Sequence, residues 1–161
     1  MNGYKDDYRR PMAKSSYFRR DDDVETLWKN NTQTGINFSK NEKIDVTVKG
    51  ENVPKPIAAF SEAGFGTLLT RNIKRADYQI PTPVQKHGIP TILAGRDIMA
   101  CAQTGSGKTA AFLFPIIDEL TKTNPSGKDG MTVTPQAVII APTRELVNQV
   151  VTVMPRFKQC M

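Results

Sequence analysis

The chain has 161 residues, 39% of them hydrophobic, and a formal net charge of +6. No stretch approaches the roughly 20 apolar residues of a membrane span, and the first residues lack the apolar core of a secretory signal. We therefore expect no membrane partner and a cytoplasmic location, with the nucleus as the alternative. The positive charge favours polyanionic partners such as nucleic acid.

Residues 1–34 are polar and rich in charged blocks. Arg9-Arg10 and Arg19-Arg20 flank aromatic residues, and the acidic run 21–23 then reverses the sign of the charge. Few aliphatic side chains are present, so burial cannot offset the entropy of ordering the backbone. The composition predicts a disordered basic and aromatic tail. Arginines beside aromatic rings are also suited to stacking on unpaired bases, but a solvated tail is the simpler interpretation.

Residues 35–59 form an extended flank. The segment 44–48 alternates apolar and polar side chains, which is typical of a short strand. Pro54 and Pro56 then keep the backbone extended.

Two helices are predicted near the start of the next region, residues 60–88. Ser61 is a candidate N-cap for the first helix. Thr82-Pro83 has the cap-then-proline order that begins a second helix, which Pro90 kinks or ends. The apolar face of the first helix comprises Phe65, Leu68, Leu69, Asn72 and Ile73.

Residues 89–161 alternate strand and helix patterns. Short apolar runs at 97–101 and 137–141 predict buried parallel strands, with Cys101 buried at the end of the first. Helices are predicted over 108–120, which contains a proline, and over 145–153. This order predicts an α/β fold in which a right-handed βαβ unit begins a parallel sheet with flanking helices.

The stretch 102–109 resembles a phosphate-binding loop of the Walker A type. Gly105 and Gly107 permit backbone angles at which successive N–H groups surround an anion, and the following helix adds its positive end. Lys108 supplies a positive charge for the outer phosphates, and the Thr109 hydroxyl is the expected Mg²⁺ ligand. A glycine-rich turn with a chance Lys-Thr pair is the alternative, which the strand and helix predicted on either side disfavour.

With Ala-x-Thr-Gly-Ser-Gly-Lys-Thr in this loop, the chain resembles the DEAD-box RNA helicases. Residues 77–85 resemble that family's Q motif, an adenine sensor, although Asp77 replaces the usual glycine. The resemblance implies that the Tyr78 ring stacks on adenine, that the Gln85 amide recognises its edge, and that Phe60 is the upstream aromatic. Packing without a ligand role is the alternative for Tyr78 and Gln85.

Residues 141–146 resemble motif Ia of the same family, which contacts the RNA backbone. Pro142, Thr143 and Arg144 are the implied RNA-binding residues, and an internal ion pair with Glu145 is the alternative role for Arg144. Val147 stands where the family usually has alanine.

Within the family, residues 34–155 are most similar to the Vasa-type helicases, with the Ded-type as second choice. The resemblance implies a RecA-like P-loop domain, ATP and Mg²⁺ as cofactors, RNA as a partner bound with little sequence specificity, and unwinding of short RNA duplexes, with germ granules as a possible location. Lys108 and Thr109 are the implied catalytic residues, with Thr109 as the metal ligand. The implied ATP-binding set is Phe60, Tyr78, Gln85, Ala102, Gln103, Thr104, Gly105, Ser106, Gly107, Lys108 and Thr109.

The sequence contains no Asp-Glu-Ala-Asp motif and no second RecA-like lobe. We therefore expect the 161 residues to be the N-terminal piece of a longer helicase, with negligible ATPase activity and incomplete folding in isolation. Two alternatives stay open: a different P-loop enzyme such as a kinase or GTPase, and a non-catalytic short isoform that binds nucleotide or RNA.

Overall fold

A computed structural model describes residues 44–123 and 135–158 of the chain. The described parts contain a 3₁₀ turn and four α-helices, which we number in chain order. The 3₁₀ turn spans Phe60–Ala63, α1 spans Thr67–Arg75, α2 spans Pro83–Leu93, α3 spans Lys108–Lys122 and α4 spans Arg144–Lys158. The predicted tail, residues 1–34, and residues 124–134 lie outside the described residues.

The first helix begins later than predicted. Gly64 adopts a left-handed backbone angle (φ 68°) that ends the 3₁₀ turn, so α1 starts at Thr67 and Ser61 is not its N-cap. Leu69, Asn72 and Ile73 face the core as predicted. Leu68 is 41% exposed, so it lies at the edge of this face and not within the core as predicted.

The second predicted helix is confirmed. Thr82 is the N-cap of α2 and Pro83 occupies its first turn. Pro90 lies inside the helix, which continues to Leu93 before Gly95 (φ 68°) follows in a left-handed conformation. A proline interrupts a helix only locally when the carbonyl that it leaves unpaired finds another donor.

The core lies between α1, α2 and α3 and is closed by the C-terminal part of α4. The rings of Phe60, Tyr78, Phe114 and Phe157 meet edge to face, with centroids 4.7 Å apart for Phe114 and Phe157 and 5.3 Å apart for Tyr78 and Phe114. Such pairs contribute about 0.5–1.5 kcal/mol beyond their buried area. The buried Asn72 side chain donates a hydrogen bond to the Phe157 carbonyl at 3.2 Å, which links α1 to α4.

The predicted strands are wrong for the described residues: the segments 44–48, 97–101 and 137–141 have no regular secondary structure. A strand needs ladder hydrogen bonds to a neighbouring strand, and a sheet of very few strands lacks the buried face that stabilises it. Met99 is 91% exposed and Ile140 is 90% exposed, so these runs are not covered on both sides as buried parallel strands are. Cys101, predicted to be buried, is exposed for the same reason.

Across residues 44–123 and 135–158, no helix has the length and apolar character required to cross a membrane.

Candidate nucleotide-binding site

The predicted phosphate loop is a tight turn that leads directly into α3. Gly105 and Gly107 both adopt left-handed backbone angles, with φ of 78° and 86°. The Ser106 N–H donates to the Gln103 carbonyl at 3.3 Å, and Gly107 is the N-cap of α3. Residues with a β-carbon resist this conformation, so the two glycines permit the turn. The loop therefore lies at the positive end of a 15-residue helix, a place suited to an anion.

Lys108 folds back over the loop that precedes it. Its ammonium group donates to the Gln103 carbonyl at 2.8 Å and also to the Ala102 carbonyl. The positive charge is therefore concentrated at the mouth of the loop. The carbonyl oxygens of Ala102 and Gln103 accept the hydrogen bonds of this ammonium group. Phosphate oxygens, which are negatively charged, would accept them more favourably.

Thr109 and Ser106 supply the hydroxyl groups of the site. Thr109 is partly exposed and lines a cavity of about 400 Å³ together with Lys108. The Ser106 hydroxyl is buried and has no hydrogen-bond partner within the described part of the chain. No cluster of three metal-binding side chains occurs among the described residues, so a divalent cation here would need oxygens from a bound ligand or water.

The start of α2 is hydrogen-bonded to the loop through two side chains. The Thr82 hydroxyl donates to the Ser106 carbonyl at 2.7 Å, and the Gln85 amide nitrogen donates to the Gly107 carbonyl at 3.1 Å. The Gln85 amide oxygen accepts the Thr82 N–H at 2.9 Å, which satisfies the first turn of α2. These bonds join the Q-motif segment and the loop into one unit.

The contact between Gln85 and Gly107 leaves no space for a larger residue at position 107. A β-carbon added at Gly107 would lie 2.4 Å from the Gln85 amide nitrogen and 3.2 Å from the Thr82 hydroxyl oxygen. Gln85 is fully buried, with 0% of its surface exposed. The sequence predicts Thr82 only as a helix cap. Its second role, as a hydrogen-bond donor to the loop, depends on the close approach of the start of α2 to the loop.

The three residues predicted to contact adenine are buried in the protein. Tyr78 is 8% exposed, and its ring meets Phe60, Phe114 and Phe157 edge to face. Both polar atoms of the Gln85 amide have protein partners, which leaves one amide hydrogen for another acceptor. In this structure these side chains form the core and link the segments, and their contact with adenine stays a prediction.

The predicted RNA-binding residues are exposed at the start of α4. Pro142, Thr143 and Arg144 precede or begin the helix, and the Thr143 hydroxyl accepts the Leu146 N–H at 3.4 Å as an N-cap. Hydrogen bonds from the backbone and from Thr143 lower the pKa of Glu145. Pro142 also lines the cavity that Thr109 lines, so the two predicted binding segments border one cleft.

Comparison with known proteins identifies the family. The sequence model of the family described as DEAD/DEAH box helicase matches residues 82–160. ATP-dependent RNA helicase DDX4 of Homo sapiens, described as probable, is 52% identical over 125 residues, which cover 73% of this chain. Residues 82–160 of the chain belong to the DEAD-box helicase family.

The similarity of this DEAD-box chain to DDX4, the Vasa-type helicase, extends to other animals. Mouse DDX4 is 50% identical over 125 residues, and the probable DDX4 of Pelophylax lessonae is 52% identical over 119 residues. The chain spans only 16–17% of the length of these curated relatives.

A solved helicase structure supports the fold. The RNA helicase Prp28 of Chaetomium thermophilum, crystallised with ADP, superposes with a TM-score of 0.61 at 32% identity. The superposition covers 73% of this chain and 31% of the Prp28 chain. The described helices therefore have the arrangement of a DEAD-box helicase domain, although the strands of a RecA-like sheet are absent from the described residues.

Proposed function

We propose that this chain carries the ATP-binding segment of an ATP-dependent RNA helicase that separates short RNA duplexes. The observation that carries the proposal is the pair of hydrogen bonds from Thr82 and Gln85 to the carbonyls of Ser106 and Gly107. A nucleotide has a base at one end and phosphates at the other. The Q-motif segment is assigned to the base and the loop to the phosphates. Direct hydrogen bonds between these two segments fix the distance between the base site and the phosphate site.

The phosphates of ATP bind at the loop and at the first turn of α3. Lys108 exchanges the carbonyls of Ala102 and Gln103 for phosphate oxygens, which is favourable because charge-assisted hydrogen bonds are about twice as strong as neutral ones. The N–H groups at the start of α3 add the positive end of the helix dipole. The buried, unpaired hydroxyl of Ser106 supports the presence of a polar ligand at this position.

Thr109 is the residue that would hold Mg²⁺. A single hydroxyl suits this ion, because Mg²⁺ at nucleotide sites takes most of its oxygens from phosphates and water. When bound, Mg²⁺ neutralises charge that develops on the phosphoryl group during transfer. Lys108 and Thr109 together orient the terminal phosphates.

The base of ATP lies on the Q-motif side of the loop. The remaining amide hydrogen of Gln85 is the donor available to adenine, and because Gln85 is fully buried, the side chain must first become accessible. Stacking on Tyr78 requires this ring to expose one face, because only 8% of its surface is exposed in the packed arrangement. Adenine binding is thus coupled to a small movement of the aromatic cluster around Phe60 and Tyr78.

RNA binds at Pro142, Thr143 and Arg144. These residues are exposed at the N-terminus of α4, where backbone N–H groups and an arginine favour a phosphate of the RNA backbone. Backbone contacts carry little sequence information, so specificity for RNA sequence is slight. A cytoplasmic location, including germ granules, is part of the same proposal and is what the resemblance to Vasa-type helicases implies.

Replacement of Lys108 by alanine tests the proposal. In an otherwise complete version of the helicase, removal of this charge-assisted contact lowers affinity for a fluorescent ATP analogue by roughly ten- to a hundredfold and abolishes RNA duplex separation. Lys74→Ala removes an exposed lysine from α1, away from the loop, and is the control, with affinity unchanged. Unchanged affinity and unwinding in the Lys108 variant would refute the proposal. Equal displacement of the analogue by GTP and ATP would favour a different P-loop enzyme.

A further inference from the structure

Pro90 leaves a carbonyl of α2 without its helical partner. An N–H group from a segment distant in the sequence donates to this carbonyl instead. In an α-helix the carbonyl of residue 86 pairs with the N–H of residue 90, which proline lacks. The Lys86 carbonyl accepts the N–H of Ile57 instead, at 3.0 Å. The donor belongs to the extended flank, 29 positions earlier in the sequence.

The flank around Ile57 is fixed to the protein at several points. The Ile57 side chain is 6% exposed and belongs to the core that includes Phe60 and Ile89. The next N–H, that of Ala58, donates to the Glu62 carboxylate at 2.8 Å. Closer to the N-terminus, the Arg96 guanidinium donates to the Asn52 carbonyl, beyond the end of α2. The flank therefore crosses α2 and contacts both the helix and the segment that follows it.

The Lys86 backbone connects this flank to Thr82 and Gln85, which are hydrogen-bonded to the loop. Its N–H donates to the Thr82 carbonyl at 2.8 Å, and its carbonyl accepts Ile57. Lys86 directly follows Gln85, whose amide is bonded to Gly107. A displacement of Lys86 would therefore move the first turn of α2 relative to the loop.

We infer that Pro90 and Ile57 are positioning residues for the nucleotide site: the unpaired Lys86 carbonyl receives the flank, and the flank holds the first turn of α2 where Thr82 and Gln85 reach the phosphate loop. The inference deepens the proposed function and rests on it for the nucleotide. Ile57 thus acts on the site through the Lys86 carbonyl, and the rest of the flank is not required for this effect.

Pro90→Ala in the full chain tests the inference. Alanine favours helix and restores the N–H that pairs with Lys86, so α2 is strengthened while Ile57 loses its acceptor. Amide hydrogen exchange at Ile57 is expected to accelerate by a factor of roughly 2–10, the equivalent of one net hydrogen bond. Exchange in residues 103–108 rises with it, and affinity for a fluorescent ATP analogue falls by a similar factor.

Two further variants separate positioning from a general loss of structure. Pro56→Ala alters an exposed proline of the same flank and is the control, with exchange and affinity within about twofold of the wild type. In a Gln85→Ala background one of the two links from α2 to the loop is already cut, so Pro90→Ala should change exchange in residues 103–108 less than it does in the wild type. An additive effect in that double variant would contradict the inference.

The exchange measurement needs no nucleotide and so separates the two proposals. Absence of ATP binding by the wild-type chain would refute the proposed function while the exchange at Ile57 and in residues 103–108 still decides the inference. Unchanged exchange at Ile57 in Pro90→Ala overturns it. Faster exchange at Ile57 with an unchanged loop also overturns it, because the flank would then be a structural element without influence on the site.

Discussion

Gly107→Ala is expected to separate the loop from α2. The left-handed angle of Gly107 costs alanine about 1–2 kcal/mol. The new β-carbon would also lie 2.4 Å from the amide nitrogen of Gln85, a side chain with 0% exposure and no free space to enter. Displacement of Gln85 breaks its bonds to Gly107 and Thr82, each worth about 1 kcal/mol. The total is about 3–4 kcal/mol of local stability.

Gly105→Ala is the matched control for this prediction. Gly105 has a similar backbone angle of 78°, but a β-carbon there would meet no atom within 4 Å. Only the conformational cost of about 1–2 kcal/mol applies. Amide hydrogen exchange in residues 82–86 is the assay, with an acceleration of roughly two to three orders of magnitude for Gly107→Ala and little change for Gly105→Ala. Equal exchange in the two variants would refute the reasoning, because backbone strain alone would then explain both.

Two further predictions concern helix starts away from the loop. The buried Asp118 carboxylate accepts the Gly66 N–H at 2.8 Å and pairs with Lys122 at 2.6 Å, so Asp118→Ala should cost about 2–3 kcal/mol in denaturant titrations because it leaves the start of α1 unpaired. Lys122→Met should cost less, since its ammonium is largely exposed; equal losses would contradict the capping role. Hydrogen bonds from the backbone and Thr143 lower the pKa of Glu145 below its ordinary value of 4.5, so its contribution to the start of α4 is present above pH 4.5 and disappears as the pH falls through the lowered pKa. Backbone NMR shifts of residues 144–148 should follow this titration and should lose it in Glu145→Gln.

Helix boundaries were predictable where the sequence marks them locally. Thr82-Pro83 begins α2, and Gly107-Lys108 begins α3, because capping and glycine signals act within a few residues. The strand predictions failed for the opposite reason. The segments 97–101 and 137–141 have apolar sequences typical of buried strands, but a strand depends on neighbours that pair with it, and pairing is not encoded within the segment.

The conformation of the candidate loop was predictable from its glycines, but the packing around it was not, and the binding roles of these residues stay predictions. The loop glycines and Lys108 lie together as the motif requires. The burial of Tyr78 depends on Phe157, which is 79 positions later in the sequence, so no local pattern indicates it. The hydrogen bond between Ile57 and Lys86 likewise could not be predicted from a local pattern. Pro90 indicates that the Lys86 carbonyl lacks its helical partner, but the donor is known only from the fold.

The close approach of Gly107 to Gln85 also constrains how helicase domains of this kind can be recombined. The two residues in this contact depend on each other. Gly107 has no side chain where the Gln85 amide lies, and the Gly107 carbonyl orients that amide by accepting its hydrogen bond. A chimera that takes residues 102–109 from one helicase and residues 81–86 from another would join surfaces that did not evolve together. Exchange of both segments as one cassette preserves the contact.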